Sequence, residues 1–210
     1  MDRASASRAR AVKLVLASSN PGKLREIGAL LAPLSIELIS QAQLGIGEAD
    51  EPHATFLENA LAKARHASRA AGLPALGDDS GLCVEALAGE PGVHSACYAG
   101  REGSREERDA RNNEKILSNV KQDRKAYYCC VMVLLRHPDD PRPLVAEGVW
   151  RGEIARAPRG RNGFGYDPLF LLPERGLTAA ELDPAQKNRI SHRGQALARL
   201  LELLNGSGRP

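Results

Sequence analysis

Asp78-Asp79-Ser80-Gly81, set between the apolar runs 73–76 and 82–87, is the stretch on which the reading of this 210-residue chain depends. Two carboxylates followed by Ser and Gly predict that the chain turns here, with both carboxylates at the end of a short strand. Neighbouring carboxylates repel, which raises the proton affinity of one of them unless a cation lies between the two. A Mg²⁺ site for phosphate chemistry uses few protein carboxylates and completes its shell with water and substrate oxygens. The same four residues are also good turn formers, because Asp and Ser bond nearby backbone and Gly accepts positive φ. The motif by itself leaves both readings open.

Composition narrows the class. Hydrophobic residues make up 42% and charged residues 26%, as in an ordinary soluble globular protein with one substantial core. A net charge of +3 and 4% aromatics argue against a nucleic-acid or membrane-surface partner, yet leave room for a local basic site for a small anion. The longest apolar stretch, 126–135, is too short to span a bilayer as a helix. Cys83, Cys97, Cys129 and Cys130 lack CxxC spacing, so a reducing, cytoplasmic setting is expected, with Cys129 and Cys130 on opposite faces of a strand. The Arg/Ser/Ala-rich segment 1–11 has no apolar stretch of a secretory signal and is expected to be a disordered tail.

Taken in order, 13–17 reads as a buried strand and Ser18-Ser19-Asn20-Pro21-Gly22-Lys23 as the loop into a helix. Asn20 is a good N-cap, and Pro21 suits the first helical position. Lys23 falls in the first turn, where a cation opposes the helix dipole. A bound anion would remove that conflict through free N–H groups, the dipole and Lys23 together; a solvated surface lysine is the plainer alternative. Segment 34–39 reads as a second strand. The polar loop 41–53 carries Glu48, Asp50 and Glu51, either a solvated acidic patch or one more metal oxygen. Thr55 and Glu58 form a capping box for a helix that stops at Gly72. Ser104 and Glu107 form another, for a helix whose many charges read as a solvated face.

Segments 126–136 and 144–150 form an antiparallel pair, so the sheet is mixed. Next, 160–168 places three glycines, Phe164, Tyr166 and Asp167 in nine residues. Such a backbone suits close approach to a flat ligand, with Phe164 or Tyr166 stacking on a base, or else a Gly-rich hairpin over buried aromatics. Ser191 is an N-cap for the last helix, which places His192 and Arg193 in its first turn as two further cations opposing a dipole. A shared polyanionic ligand would explain the misfit at both helix starts; solvated surface charges at either are the alternative.

The chain resembles the inosine triphosphate pyrophosphatase family of non-canonical purine nucleotide hydrolases. The resemblance rests on 16–23 with Glu26, 55–60 with Lys63-Ala64, 75–82, 163–168 and 191–196, in the family's order and across nearly the whole chain. It implies an α/β fold, two-lobed around a long mixed sheet over 12–205, with the active site in the cleft between lobes. The implied reaction is Mg²⁺-dependent hydrolysis of ITP, dITP or XTP to monophosphate and pyrophosphate by a homodimer. By matching motifs, Ser18, Ser19, Asn20, Pro21, Gly22 and Lys23 hold the triphosphate. Asp79 serves as general base or metal ligand with Glu51 as the other metal carboxylate, and Ser80 contacts substrate. Phe164, Gly165, Tyr166, Asp167, Lys187, His192 and Arg193 frame base and sugar-phosphate, with a backbone N–H near 164–166 or the 192–193 turn donating to the purine 6-oxo group. Ser18-Ser19 stands where the family commonly has Thr-Gly. Competing classes are a Maf-like pyrophosphatase for other nucleotides, a phosphomonoesterase with Asp79 as nucleophile, and a nucleotide-binding module without activity.

Overall fold

The computed structural model describes residues 12–34 and 36–206; the expected tail, 1–11, lies outside them. One seven-stranded mixed sheet runs β2-β1-β3-β4-β5-β6-β7. Its strands are β1 (Val12–Leu16), β2 (Ile36–Ser40), β3 (Ala75–Val84), β4 (Lys125–Leu135), β5 (Leu144–Ile154), β6 (Phe170–Leu172) and β7 (Leu177–Thr178). The helices that flank it are α1 (Pro21–Leu31), α2 (Phe56–Ala71), α3 (Arg105–Asn119), α4 (Pro184–Ile190) and α5 (His192–Gly206). No helix among the described residues is long and apolar enough to cross a membrane.

The turn expected at 78–81 is absent. Asp78, Asp79, Ser80 and Gly81 lie in the middle of β3, paired one by one with Met132, Val131, Cys130 and Cys129 of β4. Turn-forming composition lost to pairing along the full length of a central strand, and glycine there answers a packing demand. A Cβ on Gly77 would stand 2.1 Å from the Ala60 carbonyl oxygen of α2, and one on Gly81 2.2 Å from the Gly92 carbonyl oxygen. The long hairpin expected from the two later segments is present, with β4 and β5 antiparallel over ten residue pairs. Cys130 packs in the cluster of Leu76 and Met132, whereas Cys129 packs with Ala60 and Ala64 of α2, so the two thiols do point to opposite faces.

β1 pairs parallel with β2 on one side and β3 on the other. The chain therefore leaves β1 through α1 to one side and returns through α2 to the other, which puts the two helices on opposite faces. Leu14, Leu16, Ile27 and Leu31 share a cluster with α5, while Val15, Ala17 and Ala67 form another. In open α/β sheets a strand with neighbours reached in opposite directions marks the ligand crevice at its carboxyl end. α5 covers β4 and β5 on the α1 face, pressed so close that a Cβ on Gly148 would stand 2.0 Å from the His192 carbonyl oxygen.

A buried ion network fixes that face. Asp78 is fully buried and accepts from Arg193 Nε at 3.0 Å; Lys23 Nζ pairs with its other oxygen. Arg193 also meets Glu26 of α1 and donates to Ser80 Oγ at 2.8 Å. Burial alone would lift the proton affinity of Asp78, but Arg193 and Lys23 outweigh it and hold the carboxyl well below the usual range. Glu26 is depressed in the same way, with Arg193 and Lys187 overcoming its burial.

Two expectations follow. Gly148→Ala drives a methyl into the α5 backbone and lowers unfolding free energy by about 1–3 kcal/mol, read from urea denaturation. Asp78→Asn leaves Arg193 and Lys23 without their shared charge and costs about 3–5 kcal/mol at pH 7. Because the folded-state proton affinity of Asp78 is depressed, its contribution is present above the unfolded value near pH 4 and is lost as pH falls below it. The stability gap between wild type and Asp78→Asn therefore narrows in acid; a constant gap from pH 7 to pH 3 overturns the assignment.

Candidate active site

β1 accompanies β3 only as far as Leu76, where Ala17 N donates to the Leu76 carbonyl at 2.9 Å. Farther along, the Leu82 N–H donates to Ser95 Oγ at 2.9 Å. Between these points no strand among the described residues pairs with that edge of β3, and a cleft of about 250 Å³ opens there. Side chains from both faces of β3 reach it, together with the β1–α1 loop, α3, the 164–167 loop and the start of α5.

The β1–α1 loop forms as expected, with one difference. Asn20 caps α1, its side-chain oxygen accepting from Gly22 N at 2.8 Å and Lys23 N at 3.3 Å. The N–H groups expected to be free for an anion are therefore engaged, because an Asx cap satisfies the helix start internally. Ser18, Asn20 and Lys23 line the cleft. Ser19 is exposed and accepts from Gln41 Nε2 at 3.3 Å, Pro21 is exposed, and Gly22 lies directly beneath the Phe164 ring. Lys23 Nζ also donates to the Asp78 carbonyl at 3.2 Å, on the open edge of β3.

Strand alternation sends the two aspartates to opposite faces. Asp78 belongs to the ion network, and Asp79 points to the α2 face, where Lys63 Nζ donates to its Oδ1 at 2.7 Å. The expected repulsion between neighbouring carboxylates is thus avoided by geometry. Burial lifts the proton affinity of Asp79 above the ordinary carboxylate value, and Lys63 and Lys23 offset this only in part. Lys63 stays protonated, since Asp79 and Glu51 outweigh its own burial.

Glu51 Oε1 lies 2.9 Å from the same Lys63 Nζ, so a positive charge already sits between the two carboxylates named as metal ligands. Asp79 Oδ2 is buried and has no hydrogen-bond partner. Among the described residues no group of three or more His, Cys, Asp or Glu is arranged to hold a metal ion by itself. That donor set suits a hard cation such as Mg²⁺, which takes one or two carboxylates and fills its shell from water and phosphate. It does not suit a metal that needs a full protein cage. Glu48 lines the cleft as well, whereas Asp50 does not.

At the other end, Asp167 is buried and accepts from Phe164 N at 2.9 Å and from Lys187 Nζ. Lys187 also reaches Glu26 at 2.8 Å, and its ammonium lies 5.1 Å from the Phe164 ring centre. Phe164 is half-buried in the cleft wall, with Arg105 and Arg193 guanidiniums also within cation–π range. Tyr166 is buried in the core and donates its hydroxyl to the Ser95 carbonyl at 2.8 Å. Both aromatics offered for stacking line the cleft, but Phe164 is the more exposed of the two, and Tyr166 is 4% exposed with its hydroxyl tied to the core. The backbone N–H of Phe164 is engaged by Asp167 and that of Gly165 by Asp109, so neither is free to meet a purine oxygen as expected.

His192 is not the cation expected at the start of α5. It is 4% exposed, stacks on Tyr128 at 4.5 Å and 10°, and burial beside Arg193 and Lys187 pushes its proton affinity well below the ordinary histidine value. It is neutral at pH 7, and its Nδ1 has no partner. Ser191 does cap, accepting from Gly194 N at 3.2 Å. The misfit at both helix starts is answered from within: Lys23 and Arg193 meet Asp78, and His192 carries no charge.

Lys63 and Arg105 were passed over as site residues in the sequence. Lys63 had a signal, a lysine among Ala60, Ala64 and Ala67 on the buried side of α2. Arg105 had none, because its cation–π contact depends on a loop sixty residues away.

The Ham1 family model matches residues 14–203. A dITP/XTP pyrophosphatase of Nitrosomonas europaea is 62% identical over 195 residues, 92% of this chain and 94% of the relative. A dITP/XTP pyrophosphatase of Burkholderia pseudomallei is 61% identical over 206 residues, 97% of this chain and 98% of the relative. Among solved structures, a HAM1 protein from Coxiella burnetii superimposes with a TM-score of 0.83 at 49% identity, covering 93% of this chain and 99% of its own. A nucleoside-triphosphatase / dITP/XTP pyrophosphatase from Mycobacterium abscessus does so with 0.69 at 41%, covering 92% and 100%. With five motifs in order and a match over almost its whole length, the chain belongs to the Ham1 family.

Proposed function

We propose that this protein hydrolyses non-canonical purine nucleoside triphosphates (dITP, XTP and ITP) to the monophosphate and pyrophosphate, and so clears them from the nucleotide pool. The observation that carries this reading is Asp79: a buried carboxylate with one oxygen held by Lys63 and the other unpartnered, in a cleft shared with Lys23 and Phe164. Relatives more than 60% identical over nearly the full length, named for dITP and XTP, support the substrate class.

In this reading the triphosphate lies along Lys23, Lys63 and the Ser18–Asn20 loop, and the base stacks on Phe164. Asp79 takes the proton of the water that attacks the α-phosphorus; a positioned general base contributes roughly 10²–10⁴-fold. Glu51 and Asp79 would hold a divalent cation, taken as Mg²⁺, which supplies charge neutralisation on the phosphates. Base choice falls to the walls of the cleft. With the Phe164 and Gly165 amides engaged, the unpartnered Nδ1 of neutral His192 is a polar atom still free to meet the purine edge. A buried guanine 2-amino group without a partner would cost roughly 1–3 kcal/mol. The free thiols of Cys83, Cys97, Cys129 and Cys130 fit a cytoplasmic setting, and we take the working unit to be a homodimer from the family resemblance.

Pyrophosphate release with Mg²⁺ tests the substrate class: fast release from dITP, XTP and ITP is expected, with slow release from ATP, GTP and a pyrimidine triphosphate. Equal rates on all would discard the base choice, orthophosphate release would favour a phosphomonoesterase, and no release would leave a binding module. Asp79→Asn is expected to lower kcat by roughly 10²-fold or more while nucleotide binding survives. Wild-type turnover in that variant sinks the role given to Asp79.

A further inference from the structure

The charged face of α3, read from the sequence as solvated, reaches into the cleft wall. Gly165 stands at φ +63, in the left-handed region. Both of its peptide groups are taken by α3: its N–H donates to Asp109 Oδ2 at 2.9 Å, and its carbonyl accepts from Asn113 Nδ2 at 2.9 Å. Asp109 and Asn113 are one helical turn apart, so a single face of α3 grips one residue at both ends. That residue directly follows Phe164.

The helix is a firm base for such a grip. Ile116 is fully buried in the core, and Asn112 accepts from Ala99 N at 2.7 Å while donating to the Ser95 carbonyl at 3.2 Å. Inside the loop, Asp167 holds Phe164 N from the opposite side. Arg105, one turn before Asp109 and 3.8 Å from it, places its guanidinium 5.1 Å from the Phe164 ring centre. A loop of glycines has little side-chain packing of its own to fix an aromatic ring.

We propose that Asp109 and Asn113 are positioning residues for base binding, holding Gly165 so that the Phe164 ring stays against the cleft. This inference rests on the reading that Phe164 stacks on the nucleotide base. It separates two parts of recognition: Lys23 and Lys63, the phosphate contacts of this reading, are held by Asp78, Asp79 and Glu51 and not by α3, whereas the Phe164 loop is.

The test compares wild type with Asp109→Ala, Asp109→Asn and Asn113→Ala, using dITP as substrate and inorganic tripolyphosphate as a ligand without a base. Losing one hydrogen bond that orders the loop is expected to raise KM for dITP roughly tenfold in Asp109→Ala and Asn113→Ala, with kcat little changed. Inhibition by tripolyphosphate should be unaltered. Asp109→Asn should restore KM, because its amide oxygen can accept the same Gly165 hydrogen bond without the charge. Equal weakening of dITP and tripolyphosphate, an unchanged KM in both alanine variants, or an Asn variant as impaired as Ala each overturns the proposal. Should Asp109→Ala fail to fold, Asn113→Ala and Asp109→Asn decide it. If wild type releases no pyrophosphate, the functional reading fails separately. Calorimetric affinities for dITP and tripolyphosphate then give the same comparison without turnover.

Discussion

The contact on which the rest of the site depends is the buried pair between Asp78 and Arg193. It joins β3, an interior strand of the sheet, to the first turn of α5, and through Glu26 and Lys23 it also fixes α1. Buried ion pairs are weak sources of net stability, because desolvation offsets most of the Coulomb gain. What this one contributes is registry. With Arg193 donating to Asp78, Ser80 and Glu26 at once, α5 cannot slide along β5 without stranding a charge, and Gly148 lets the helix sit close enough for that geometry. His192, the residue before Arg193, is thereby placed against Tyr128 with its imidazole neutral.

β3 then divides the work by alternation alone. Its even-numbered residues 78 and 80 face the ion network, and Asp79 faces Lys63 and Glu51. A turn at this point would have put both carboxylates on one side, competing for the same cations. A strand lets adjacent residues take opposite electrostatic fates: Asp78 is held ionised far below its usual range, while Asp79 is made more basic. The departure of β1 after Leu76 exposes the edge from which both sides can be reached. Topology, strand period and one unpaired stretch of edge together make the cleft.

Much of this was legible beforehand. The Asn20 cap with Pro21, the Ser104–Glu107 capping box, the stop at Gly72 and the β4–β5 hairpin all follow from local rules, and the structure has each of them. The Thr55 box is half made: Thr55 accepts from Glu58 N, but the Glu58 side chain bonds the Thr55 hydroxyl instead of returning to the backbone. Where local rules failed, a distant partner had decided the matter. Gly77 and Gly81 look like turn residues until Ala60 and Gly92 are seen to press on them. Lys23, His192 and Arg193 look like free cations until Asp78 and the aromatic stack are in place. The Phe164 loop was visible as unusual, but the helix that grips it was not.

Charge balance gives the last step. Four cations of the cleft, Lys23, Lys63, Lys187 and Arg193, are met by five carboxylates, Glu26, Glu51, Asp78, Asp79 and Asp167. The positive charge of these four is thus already matched before any substrate enters. Arg193 and Lys187 are almost fully buried and locked to their partners, so they cannot be redirected to phosphate without leaving buried carboxylates unpaired. Of these four, Lys23 and Lys63 stand where a phosphate oxygen could replace a carboxylate as partner, and Arg105 and Arg108 of α3 also line the cleft. Two lysines cannot neutralise the charge of a nucleoside triphosphate in a half-enclosed cleft, where Coulomb energies exceed those in water. A divalent cation at Glu51 and Asp79 would make up the difference, and the unpartnered Asp79 Oδ2 is the oxygen left for it. On this balance a divalent cation would add positive charge to a cleft in which Lys187 and Arg193 are already used to hold the fold together.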